Sequence, residues 1–144
     1  SAAGLSCIEK SELSDLESYA VEEFCSPTLD YSMAVAFAHK GAHAMCDVSD
    51  ALVIQAEQLA QASGVQLVFD AAAFKASEEF AQLSELAEAS GVDVWQWIFA
   101  GGEDHVFLAT GKDLPGLCVG VVKTGSGVIG LEMKKAPDTW RHFS

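Results

Sequence analysis

Two short segments concentrate the residues of this chain that can do chemistry. Asp47-Val48-Ser49-Asp50 packs two carboxylates and a hydroxyl into four positions, and Gly101-Gly102-Glu103-Asp104 adds two further carboxylates behind a glycine pair. Carboxylates spaced in this way suit magnesium, a hard cation that takes one or two of them and completes its octahedron with phosphate oxygens and water. The first segment stands between a strand-like run, Ala44 to Val48, and a helical run reaching Ala62. If strand geometry continues through it, Asp47 and Ser49 point to the same side. A phosphate at the helix N-terminus would meet backbone N–H groups and the positive end of the helix dipole, while the two aspartates hold the metal that screens it. The chemistry suggested is phosphoryl transfer.

Each segment also has a plainer use. Ser49 or Asp50 is placed to cap the helix that follows, a role worth about 1 kcal/mol. Gly101-Gly102 serves equally as a tight turn into a strand or as a place where backbone approaches a ligand closely, with Glu103 leading into the strand. His39 and His43 have metal-ligand spacing, but Gly41 between them breaks the helix that would align them. The four cysteines form no CxxC pair, and Cys46 and Cys118 lie in apolar runs where a thiol acts as a small buried hydrophobe. Trp95 and Trp97 read as core or anchoring aromatics, and Lys134-Lys135 as a solvated turn.

Half of the 144 residues are apolar, enough for one domain with a real core, expected over 1–144. Eight basic residues stand against 21 acidic ones, giving a formal charge of -13. Such a balance excludes nucleic acid and anionic membrane as partners, because both need clustered Lys and Arg. A phosphorylated substrate is compatible with it where divalent metal supplies the positive charge. With no signal-peptide pattern and no eighteen-residue apolar run, the expected location is the cytoplasm. Ser1-Ala2-Ala3 reads as a possible expression remnant, and the chain as an excised piece.

The elements that must position these residues follow from periodicity. Leu13, Leu16, Ala20 and Phe24 mark an amphipathic helix over 11–24, and 32–40 a second one closed by Gly41. A strand at 44–48 leads to the helix ending at Gly64, a strand follows at 65–69, and Ser77 to Ala89 forms another helix. Ala-Ser-Gly-Val occurs at 62–65 and 89–92, both times as a helix stop with glycine in the left-handed conformation. Strands are expected at 105–110, 117–123 and 128–133, the last two joined by a Thr124-Gly125-Ser126-Gly127 hairpin turn. The tail from Lys134 should run over the surface, anchored by Trp140 and Phe143. Helices mixed with hairpin-linked strands give an α+β class.

Taken together, DVSDAL at 47–52, ASGV at 62–65, AGGEDH at 100–105 and WRHF at 140–143 resemble thiamine-monophosphate kinase, over nearly the whole chain. The resemblance is to that family's C-terminal domain, within the superfamily that includes aminoimidazole ribonucleotide synthetase and selenophosphate synthetase. It implies an α+β fold whose mixed, largely antiparallel sheet is covered by helices. It also implies a parent enzyme that transfers the γ-phosphoryl of ATP to thiamine monophosphate, making thiamine diphosphate by positioning and magnesium electrostatics. Carried over residue by residue, Asp47 and Asp50 match magnesium ligands, Ser49 an ATP contact, and Glu103 and Trp140 substrate contacts, with Asp104 structural.

The family's N-terminal domain, which carries further metal-binding aspartates, most nucleotide contacts and the homodimer interface, has no counterpart in these residues, so this half is expected to be inactive alone. Three departures stand out. Ala51 replaces the motif's usual Gly inside the expected helix, His105 replaces a common Tyr, and Ser26 to Tyr31 lacks Pro-x-Pro-Arg. The alternatives are another ATP-dependent member of the superfamily, or a binding module that has lost catalysis.

Overall fold

The structure, a computed structural model, describes residues 2–27, 30–102 and 106–132. In chain order it contains α1 (Ala2–Cys7), α2 (Asp15–Cys25), α3 (Tyr31–His39), β1 (Ala44–Val48), α4 (Leu52–Ser63), β2 (Gln66–Phe69), α5 (Ala71–Lys75), α6 (Glu78–Ser90), α7 (Val94–Ala100), β3 (Val106–Thr110), β4 (Gly120–Lys123) and β5 (Gly127–Ile129). The fold is α+β, with an antiparallel β1–β3 ribbon and a three-stranded sheet in the order β4-β2-β5.

Local chemistry explains where most helices begin and end. Ser14 caps α2 and Glu17 reaches back to the Ser14 backbone N–H at 2.9 Å, a capping box that moves the helix start from position 11 to Asp15. Ser77 accepts from the Phe80 N–H at 3.1 Å and opens α6 as expected. Both Ala-Ser-Gly-Val segments are helix stops: Gly64 and Gly91 have φ of 64° and 66°, and Val65 and Val92 each close a bond back to the last helical turn.

The hairpin expected between β4 and β5 does not form. β2 lies between them, antiparallel to β4 and parallel to β5, with Gln66 opposite both Lys123 and Gly127. The 124–126 connection therefore crosses the start of β2, where the Gln66 side-chain amide donates to the Ser126 carbonyl at 3.3 Å. The reason is burial. β2 contributes Leu67 and Phe69 to the core, and a central strand needs partners on both edges.

Three helices escape the periodicity argument. α5 is only five residues long, too short for a helical repeat to show. α7 is apolar apart from Gln96 because it is buried on two sides. Trp95 and Phe99 enter a cluster with Phe69, Phe74, Leu59 and Ala60, where the Trp95 and Phe99 rings stack at 5.6 Å and Phe69 lies 5.3 Å from Phe99. Trp97, two residues away and so on the opposite side of the helix, enters a second cluster with Ala3, Ala20, Leu86 and Ala87. The core role of the tryptophan pair is thus realised in a helix. α1 packs Ala3 and Cys7 as buried residues. Cys118 is exposed and Cys46 half-buried, so neither is the fully buried thiol expected.

Candidate functional site

β1 spans the residues expected of it, and its alternation decides what each can do. Ala44, Cys46 and the 2 % exposed Val48 turn inward, while Met45 and Asp47 are exposed. Asp47 therefore presents its carboxylate to solvent at the end of the ribbon, followed by a half-buried Ser49 and an exposed Asp50. Burial, aided by the negative charge of Asp47, pushes the Cys46 thiol up from its ordinary value, so this cysteine stays protonated beside the site.

α4 does not begin on Ser49 or Asp50. The N-cap is Ala51, buried and extended at φ -150° and ψ 141°, whose side chain makes no capping hydrogen bond. This corrects two readings together: neither Ser49 nor Asp50 occupies the N-cap position, and Ala51 lies before the helix rather than inside it.

The second segment meets the first through backbone. A β-carbon placed on Gly102 would fall 2.4 Å from the Asp50 carbonyl oxygen and 3.8 Å from that of Ser49, a separation only glycine tolerates. Gly101, at the end of α7, lies as tightly on the Trp97 carbonyl. The close approach this glycine pair makes is to the protein's own backbone, at Asp50 and in α7. On the far side of 103–105, β3 pairs with β1 so that Val106 faces Val48 and Phe107 faces Asp47. The structure therefore joins the two motifs at their backbones.

Glu103, Asp104, His105 and Trp140, together with the expected Lys134-Lys135 turn, lie outside the described residues. Among the described residues no group of three or more His, Cys, Asp or Glu side chains is arranged to hold a metal ion. Two exposed carboxylates with an adjacent hydroxyl are an all-oxygen set that fits a magnesium ion shared with substrate phosphates, rather than one enclosed by this region alone. His39 ends α3 and Gly41 takes φ 78°, so the histidine pair is not aligned on one helix. Sequence reading missed Tyr31, whose ring lies against Phe107; nothing local signals a contact between α3 and β3. A shallow concavity on the other sheet, lined by Asp70, Cys118 and Glu132 among others, shares no residue with this site. Among the described residues no helix is long and apolar enough to cross a membrane.

No family model matches the chain. Curated proteins do. A thiamine-monophosphate kinase of Corynebacterium glutamicum is 37 % identical over 130 residues, covering 85 % of this chain and 38 % of that protein. Another, of Aquifex aeolicus, is 33 % identical over 153 aligned positions, covering 99 % of this chain and 48 % of its own length. The solved structure of AaThiL complexed with AMPPCP and TMP superposes with a TM-score of 0.79 at 30 % identity, over 99 % of this chain and 48 % of that one. The chain spans about half the length, or less, of the relatives it matches. By sequence and by fold, the chain is a partial thiamine-monophosphate-kinase-like region.

Proposed function

We propose that this region is the C-terminal half of an ATP- and magnesium-dependent kinase that phosphorylates thiamine monophosphate to thiamine diphosphate in the cytoplasm. The observation that carries this reading is the packing of Gly102 on Asp50, which joins two motifs that a cap and a turn would leave unrelated. Similarity to thiamine-monophosphate kinases, and to a structure holding AMPPCP and TMP, supports it and supplies the ligands. In this reading Asp47 and Asp50 hold magnesium, Ser49 contacts ATP, and Glu103 and Trp140 contact the substrate. Bound there, the ion neutralises charge on the transferring phosphoryl group. The chain's own part is positioning: β1 fixes Asp47 on the open face of the ribbon, and Gly102 fixes the backbone of Asp50. The partner domain supplies further metal and nucleotide contacts and a homodimer interface, so the region by itself is inactive.

Thiamine diphosphate formation from ATP, magnesium and thiamine monophosphate tests this. The full-length protein is expected to turn over and residues 1–144 alone are not. A full-length protein that binds thiamine monophosphate without consuming ATP would make this a binding module.

A further inference from the structure

Asp47 shares its face of the ribbon with an aromatic pair. Residues opposite each other in an antiparallel ladder point to the same side, so Phe107 stands beside Asp47 and Ala109 beside Met45. The other side, with Ala44, Cys46 and Leu108, is committed to the core. Tyr31, the first residue of α3, sets its ring 6.3 Å from that of Phe107 at an angle of 56°. It nevertheless remains 65 % exposed, so the contact with Phe107 holds the tyrosine without covering it. Asp30 accepts from the Ser32 N–H at 3.0 Å and fixes the start of α3, which limits the freedom of the Tyr31 backbone.

An open aromatic face attracts planar cations, because the ring quadrupole is negative over its face and a flat partner adds stacking area. The chain's net charge of -13 favours a cation further. We propose that Tyr31 and Phe107 form a ledge for the positively charged heteroaromatic ring of the phosphate acceptor. This rests on the kinase reading above. Reach favours the acceptor over the nucleotide base: a metal at Asp47 would meet the phosphate being joined, and the thiazolium ring is two carbons from the ester oxygen of its phosphate. The adenine lies beyond three phosphates and a ribose, and it carries no charge for the ring faces to select.

The test is made in the full-length protein, with Tyr31→Ala, Tyr31→Phe and, as an exposed tyrosine elsewhere, Tyr19→Ala. Calorimetric titration with thiamine monophosphate, and separately with ATP and magnesium, reads each affinity. Tyr31→Ala is expected to weaken thiamine monophosphate binding by about three- to tenfold and to leave ATP binding and thermal stability unchanged. Tyr31→Phe keeps most of the affinity because the ring face remains, and Tyr19→Ala changes neither ligand. An isosteric neutral thiophene analogue should lose less on Tyr31→Ala than the cation does. Unchanged thiamine monophosphate affinity in Tyr31→Ala, or equal loss for both ligands, overturns the ledge while the kinase reading stands. Absence of both binding and turnover in the unsubstituted protein overturns the kinase reading and the ledge with it.

Discussion

Gly102 lies so close to Asp50 that an added β-carbon would stand 2.4 Å from the Asp50 carbonyl oxygen. Helix α7 and the ribbon that carries Asp47 are thereby locked together at a point where no side chain fits.

Gly102→Ala must push these two backbones apart. A destabilisation of about 1–3 kcal/mol is expected from the overpacking, with a fall in turnover of the full-length protein beyond what unfolding explains. Gly64→Ala provides the comparison. Its left-handed φ of 64° makes alanine costly there, yet nothing lies within 4 Å of the added carbon. It should lower the melting temperature and leave the turnover of folded protein intact.

Asp47→Asn and Asp50→Asn separate charge from shape. Ala51 rather than either aspartate stands at the N-cap position of α4. For the exposed Asp47 the stability change should stay within about 0.5 kcal/mol. Each variant of the full-length protein should lose at least about tenfold in turnover, equivalent to about 1.4 kcal/mol of transition-state stabilisation, and need more magnesium for half-maximal rate. Normal magnesium dependence in both would remove the aspartates from the metal.

Acid should loosen the N-terminal helix pair. The hydrogen bond from Lys10, and then those from the Ser14 backbone and hydroxyl, hold the Glu17 carboxyl at about 2, below its ordinary 4.5. A carboxyl whose folded value is depressed binds its proton more readily once unfolded, so it contributes stability above pH 4.5. That contribution fades as pH falls from 4.5 to about 2. Glu17→Gln should flatten the melting-temperature profile in this window, and melts followed at several pH values would detect it.

Phe99 is fully buried and its ring touches those of Phe69, Phe74 and Trp95. Phe99→Ala should cost about 3–5 kcal/mol, since the surrounding rings cannot collapse into the space. Loss of near-ultraviolet circular dichroism with far-ultraviolet signal retained would identify a loosened aromatic core. Phe99→Leu should recover part of the loss.

What the sequence settles by itself is what neighbouring residues settle among themselves. The Ser77 cap and the paired glycine stops at Gly64 and Gly91 are legible because their hydrogen bonds close within a few residues, and the strand at 44–48 because its residue pattern is local even though its partner β3 is not. The motif pattern likewise carries the family resemblance, since residue types and order need no coordinates. Tertiary structure decides what meets what. It inserts β2 between β4 and β5 because a buried strand must satisfy both edges, and it makes α7 a helix with two buried sides, which erases the periodicity that would reveal it. It also moves the N-cap of α4 to Ala51, seats Gly102 on Asp50 and sets Tyr31 against Phe107. These contacts depend on how strands and helices far apart in the chain pack, and packing energy is shared among many residues rather than written in any short segment.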